Sequence, residues 1–239
     1  MPGLRVVRCG AERIRVGSWR GEGGRAYVTP VAETPPASVA MVRHCCALLA
    51  AQGYTEVVTG ALGWREQRGF LQAGFELREE LHLLSRSLRD LPRVDPGPLR
   101  RGHRRDRQRI LVVDALAFPA FWRLDDAGMT EALRATRSAR LRVAAEREVA
   151  GYAISGRSGT RGYLQRLAVD PRSQGRGLGR ALVVDGLRWM RRHGADQVVV
   201  NTQVGNQRAL DLYHGLGFRL EPSRLAVLAR RLEDRELTS

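Results

Sequence analysis

The stretch Asp170-Pro171-Arg172-Ser173-Gln174-Gly175-Arg176-Gly177-Leu178-Gly179 decides the reading of this chain. Ahead of it, Tyr163 to Val169 is a short apolar run that predicts a strand. Behind it, Gly179 to His193 keeps Ala181, Leu182, Val184, Leu187 and Trp189 near one helical face, and Gly194 stands where a helix C-cap belongs. Glycines between a strand and a helix allow close backbone approach to a ligand. Successive N–H groups in such a turn converge on an anion, and the helix N-terminus adds about half a positive charge. A diphosphate fits that nest, with Arg172, Arg176 and Arg180 around it to pair with phosphate oxygens.

Working outward, Gln197 to Val200 predicts a buried strand, Asn206 to Leu216 a helix and Leu225 to Leu228 another strand. Upstream, Arg109 to Leu116 predicts a first strand and Phe118 to Arg140 two short helices interrupted near Asp125, Asp126 and Gly128. Leu141 to Ala145, Glu148 to Ser155 and Gly162 to Val169 then predict hairpin-connected strands. This is a mixed α/β order with an antiparallel start. Asn206 and Tyr213 lie seven residues apart, two helical turns, and so share a face. Asn206 suits either a ligand contact or a helix N-cap.

Taken together, Leu167-Ala168-Val169-Asp170-Pro171, Gln174-x-x-Gly177-x-Gly179 and Asn206 to Phe218 resemble the signature of the GNAT superfamily of acetyl-coenzyme A-dependent N-acetyltransferases. The resemblance spans residues 109 to 232. It implies a GNAT fold, a mixed central sheet flanked by helices, with acetyl-CoA as cofactor. Main-chain amides of Gln174, Gly175, Arg176, Gly177, Leu178, Gly179 and Arg180 would hold the diphosphate, and Asn206 a further cofactor contact. The pantetheine arm would run along Leu167, Ala168 and Val169, splayed from the strand Val198 to Val200. By the same resemblance the Val169 N–H polarises the thioester carbonyl and Tyr213 protonates the departing thiolate. These roles agree with what amine attack on a thioester needs: an oxyanion donor, a neutral amine and a proton for sulfur.

The general base is not legible. Protein N-terminal acetyltransferases of the superfamily carry a glutamate on the strand before the glycine turn, and this chain has Gln165 in that region. Glu146, Glu148, Asp125 and Asp126 are alternatives acting through water, or the amine arrives already neutral. An acceptor cleft is implied at about Phe121 to Asp126 and Glu221 to Arg224, with Trp122 and Tyr163 as apolar contacts.

Residues Ala40 to Leu77 repeat the order of Ala181 to Leu220: helix, Gly, Val-Val strand, helix, Gly-Phe. The first copy has Ala32-Glu33-Thr34-Pro35-Pro36-Ala37-Ser38 where the glycines should be, and Phe70 in the place of Tyr213. Pro has no N–H and Glu33 would repel phosphate. Residues 1 to 90 are therefore expected to be a truncated, degenerate GNAT-like domain, in a tandem arrangement resembling mycothiol synthase, while the strand and phosphate turn resemble ribosomal-protein alanine acetyltransferases. The Pro- and Arg-rich stretch 91 to 108 is expected to be a solvated linker, 109 to 232 the catalytic domain, and 233 to 239 a tail.

Composition is that of an ordinary globular chain, 43% apolar and 27% charged. The net charge of +15 comes from 40 basic residues, all of them Arg, a skew that a GC-rich genome produces without selection for phosphate binding. Three cysteines without C-x-x-C spacing indicate neither a metal site nor a disulfide framework. No apolar run has the length of a membrane span, so a cytoplasmic protein without membrane partners is expected. The acceptor is expected to be a small-molecule amine or a protein N-terminus. A non-catalytic acyl-CoA sensor, and an RNA- or ribosome-binding protein using the arginine-rich stretch, are the competing readings.

Overall fold

The structure, a computed structural model, describes residues 4–20, 23–31, 34–95, 97–145 and 147–232. The elements run β1 (Arg5–Cys9), β2 (Glu12–Ser18), β3 (Arg25–Pro30), α1 (Val39–Ala50), β4 (Glu56–Thr59), α2 (Trp64–Gln72), β5 (Glu76–Ser87), β6 (Leu99–Arg101), α3 (Arg107–Ala117), α4 (Asp126–Arg134) and β7 (Ser138–Ala145). They continue with β8 (Val149–Ser158), β9 (Arg161–Val169), α5 (Leu178–Arg192), β10 (Gln197–Gln203), α6 (Gln207–His214), β11 (Arg219–Leu220) and β12 (Leu225–Arg231). Among the described residues no helix is long and apolar enough to cross a membrane, and no group of His, Cys, Asp or Glu could hold a metal.

Contacts divide the chain into two units. The first takes the described residues up to Leu83, Gln203–Gly205 and those from Glu221 onward. Its strands β1, β2 and β3 are antiparallel neighbours, β4 is parallel to β3, and β12 lies antiparallel between β4 and β5. Alternation builds these strands: Ile14 and Val16 point into the core while Arg13 and Arg15 face out. Met41, Val42, Cys45, Cys46 and Leu49 recur at helical spacing on α1 and close the same core with Phe70 and Phe75. Burial pushes the Cys45 thiol up to about 12, so it serves as a small apolar packing group.

The second unit runs from Leu84 to Thr202 and from Asn206 to Leu220. Strands β6 to β9 are successive antiparallel neighbours, with α3 and α4 between β6 and β7, β10 runs parallel to β9, and β11 pairs with Leu84 and Ser85 at the end of β5. One face of the sheet packs against α5 and α6 through Leu182, Val183, Leu187, Leu210 and Phe218. The other packs against α3 and α4 through Ile110, Val113, Met129 and Ile154. Fully burying one such side chain stabilises the unit by about 1.5–3 kcal/mol.

Three expectations are corrected. Arg109 to Leu116 is not a strand but the body of α3. Ile110, Val113, Asp114 and Ala117 fall at i, i+3, i+4 and i+7, and that face is the one directed inward while Val112 and Leu116 are half exposed. The stretch 91 to 108 is not simply a connector: Leu99–Arg101 adds β6 to β7, Arg104–Asp106 makes a 3₁₀ turn, and Arg100 clasps Asp106 with two hydrogen bonds of 2.7 Å. The carboxylate also accepts from the His103 N–H, and the Arg100 hydrogen bonds hold its pKa down at about 2. Finally, 221 to 232 does not complete the C-terminal domain, because β12 finds its partners in β4 and β5 of the first unit. The expected tail and the residues Ala32 and Glu33 lie outside the described residues.

Candidate active site

Strand β9 is flanked by β8 along its length but by β10 only at Arg161 to Tyr163, paired with Gln197 to Val199. From Leu164 onward the edge facing β10 is open. The hydrogen-bond phase of β9 determines what that edge presents. Asp170 donates its N–H to the Ala150 carbonyl at 2.8 Å, so alternation turns the N–H and C=O of Val169 away from β8. Gln174 Nε2 donates to that Val169 carbonyl at 3.0 Å, leaving the Val169 N–H as a donor on the open edge. Leu167 has the same phase, two residues back, and Ala168 between them is buried against α3.

The chain then turns through Pro171–Ser173, with Asp170 accepting from the Arg172 N–H at 3.0 Å and from the Arg109 guanidinium at 3.1 Å. Gly175 and Gly177 adopt φ of +77° and +79°, and Gly177 is the left-handed N-cap of α5. No side chain caps this helix N-terminus. Its first amides therefore have the orientation and the freedom to receive an external anion. Gln174 is half-buried, Arg172, Arg176 and Arg180 are exposed around the turn, and Leu178 begins the helix. A side chain added at Gly179 would meet Leu212 Cδ2 at 3.6 Å and Val169 Cγ2 at 3.7 Å, so the end of β9, the start of α5 and helix α6 converge here.

Helix α6 begins at Asn206, whose Oδ1 accepts from the Ala209 N–H at 3.2 Å; the capping alternative is the one realised. Seven residues on, Tyr213 is 5% exposed, with its ring centroid 5.5 Å from that of Phe218. Burial raises its phenol pKa well above the ordinary value, so the proton stays on oxygen at any physiological pH.

The base candidates are otherwise engaged. Glu148 is largely exposed beside Arg109 at 3.6 Å, Asp125 caps α4 by accepting from the Gly128 N–H at 2.7 Å, and Asp126 pairs with Arg107. Glu146 lies outside the described residues. Gln165 is the extra residue of a β-bulge, where Ser155 pairs with Leu164 and Ile154 with Arg166. Its Nε2 donates to Thr136 Oγ1 at 3.3 Å and its buried Oε1 has no partner. Of the implied acceptor contacts, Phe121 and Trp122 pack edge to face in the second unit, whereas Glu221–Arg224 belong to the first.

Sequence reading missed the polar centre beneath this site. Asp114, fully buried on α3, accepts two hydrogen bonds from Arg166 at 2.7 and 2.8 Å, one from Tyr152 Oη at 2.6 Å and one from the Leu124 N–H at 2.7 Å. Arg166 also donates to the Trp122 carbonyl at 2.6 Å and lies over the Phe118 ring at 3.5 Å. One carboxylate thus ties α3, β8, β9 and the 118–124 segment together. An aspartate on an apolar helical face was the available signal, hidden because 109 to 116 reads as a strand.

Among the described residues the first unit shows no such opening. Ser38 caps α1 with its hydroxyl while its own N–H donates to Glu12 Oε2 at 2.7 Å, so an internal carboxylate stands where an external anion would. A Cβ at Gly69, which precedes Phe70, would come within 1.9 Å of the Ala37 carbonyl oxygen, placing α2 hard against the entry of α1. Phe70 meets Phe75 edge to face at 5.3 Å, as Tyr213 meets Phe218, but without a hydroxyl.

Residues 109–218 match the family model described as Acetyltransferase (GNAT) family. Mycothiol acetyltransferase of Acidothermus cellulolyticus is 43% identical over 74 residues, 29% of this chain and 23% of that protein. N-alpha-acetyltransferase 30 of Saccharomyces cerevisiae is 40% identical over 58 residues, 24% of this chain and 33% of that protein. The matched stretches span about a quarter to a third of these curated relatives. Among solved structures, a tandem GNAT protein from the clavulanic acid biosynthesis pathway superposes with a TM-score of 0.68 at 17% identity, covering 95% of this chain and 82% of that one. A putative GNAT-family acetyltransferase from Novosphingobium aromaticivorans superposes at 0.61 with 17% identity, covering 95% and 91%.

Proposed function

We propose that this chain, whose residues 109–218 match the acetyltransferase (GNAT) family model, transfers an acetyl group from acetyl-CoA to the primary amine of a small metabolite or a protein N-terminus. The observation that carries this reading is the open edge of β9 at Val169, directly followed by an uncapped, glycine-rich helix N-terminus. The donor's diphosphate suits the amides from Gln174 to Arg180, with Arg172, Arg176 and Arg180 supplying countercharge. Its pantetheine amides suit the Leu167 main chain on the same open edge, as an added strand would, leaving the Val169 N–H for the acyl carbonyl. Acetyl-CoA, when bound, supplies the acyl group in activated thioester form.

The residues of this chain then divide the work. The Val169 N–H, fixed by the β8 pairing behind it, is a donor for charge developing on a carbonyl oxygen along the edge and needs no reorganisation to act. Tyr213 carries the proton for a departing thiolate, a general-acid role that contributes about a hundredfold to ten-thousandfold. Gln165 cannot take a proton, so the acceptor is used as free amine. The first unit, with Glu12 at its helix entry and Phe70 for the tyrosine, is read as non-catalytic.

The test is calorimetric titration of acetyl-CoA followed by thiol-release assays over a panel of amines and N-terminal peptides. Saturable binding with turnover that Tyr213→Phe cuts about tenfold or more supports the reading. Binding without turnover across the panel would favour an acyl-CoA sensor, and no binding would sink the proposal.

A further inference from the structure

A second charged concavity lies in the same unit, away from the glycine turn. It is a cavity of about 540 Å³ whose wall carries Arg101, Arg104, Arg107, Arg140 and Arg142, with Met129, Leu133, Leu141 and Trp189 as its apolar lining. Trp189 is twelve residues along α5 from Gly177, about 18 Å at the helical rise, so the two places do not overlap.

Charge is unbalanced there. Arg107 is paired with Asp126, and Arg140 and Arg142 share the single carboxylate of Asp185 at 3.3 and 3.2 Å. Among the described residues neither Arg101 nor Arg104 is paired with a carboxylate, so five guanidinium groups face two acids. Burial and the neighbouring Arg142 and Arg192 disfavour the charged form of Arg140, a penalty that an anion in the cavity would relieve. Helix α3 and the turn before it hold the positions firmly, since Arg100 and Asp106 lock the segment from which Arg101 and Arg104 project. The Trp189 indole, tilted against His193 at 4.9 Å, offers a flat wall beside these charges.

We propose that this cavity binds a small phosphomonoester bearing a flat ring, a mononucleotide in chemical class, independently of the acetyl-CoA turn. Guanidinium groups recognise phosphate oxygens in paired geometry, and the Trp189 indole accepts the ring. The volume falls within the range of small-ligand sites.

Adenosine 5′-monophosphate titrated calorimetrically into the full chain at low salt is the direct test. Saturable binding is expected, weakened about tenfold or more in R101S/R104S, whose side chains are exposed and whose loss leaves circular dichroism unchanged. Leu133→Trp, which fills the cavity, should weaken it comparably, and ribose 5-phosphate should bind less tightly than the nucleotide. R172S/R176S at the glycine turn should leave the affinity within about twofold, and that variant keeps this outcome separable from failure of the acetyl-CoA reading. Unchanged affinity in R101S/R104S, loss in R172S/R176S, or no heat up to about 5 mM ligand would each overturn the proposal. So would oligoadenylate binding about tenfold tighter than the mononucleotide, since that would mark a nucleic-acid surface.

Discussion

Gln165 sits on a bulge with one orphaned buried oxygen, where a glutamate would be a proton acceptor. If no side chain takes the proton, the pH dependence of kcat/KM belongs to the acceptor: the rate should rise with pH until the amine's own pKa, about 8 for a peptide α-amine and about 10 for an alkyl amine. A profile that breaks near pH 6–7 whatever the acceptor would reveal a base on the chain. Asp106 gives a second expectation. Its folded pKa of about 2, held down by Arg100, lies below the ordinary value of 3.8, so its contribution to stability is complete above about pH 4 and is lost as pH falls through 2. Asp106→Asn should therefore lower stability at neutral pH and flatten the acid limb of a denaturant series between pH 4 and 2. These two residues differ in legibility. The absent glutamate was visible in the sequence, whereas the Arg100–Asp106 clasp lay inside a stretch that reads as linker because its composition offers nothing apolar to bury.

Helix α5 follows strand β9 through one 3₁₀ turn and two left-handed glycines, so the two act as a single device. Gly177 at φ +79° is the hinge of that device. Gly177→Ala places a Cβ in left-handed backbone at a cost of roughly 1–2 kcal/mol, and any relaxation turns the nest amides away. Affinity for acetyl-CoA should fall about tenfold in titration, while Gly159→Ala, at the turn between β8 and β9, should leave it unchanged. Helix α3 depends on a different kind of contact. Asp114→Ala removes one partner of a buried, four-bonded ion pair and leaves the Arg166 charge uncompensated, so denaturant unfolding should show a loss of about 3–5 kcal/mol. The periodicities of α5, β10 and α6 were legible because each has one clean buried face. That of α3 was not, because Ile, Leu and Val in succession satisfy strand and helix patterns alike, and the deciding residue was a buried acid.

Across the chain, the C-terminal strand β12 serves the first unit, between β4 and β5. A chain ending at Leu220 would leave the edges of β4 and β5 unpaired and remove Ala226 and Leu228 from the first core. Trypsin cleavage within the first 83 residues should then accelerate about tenfold or more relative to the full chain, as the population of open states rises. Unchanged protection would mean that the first unit holds together without β12. The repeat of helix, strand and helix is visible in both units, with Glu12 at the helix entry and Phe70 in one, and a glycine turn and Tyr213 in the other.

Local chemistry was enough to locate the glycine turn, the strand before it, the helices that follow and the tyrosine seven residues from its cap. Each rests on interactions within about twenty residues, and glycine, proline and helical spacing report those directly. Tertiary structure alone decided which strand β12 would join, that the arginine-rich stretch would fold, and that Asp114 would gather four donors. Those outcomes depend on partners distant in the chain, and hydrophobic pattern says that a face will be buried without saying against what.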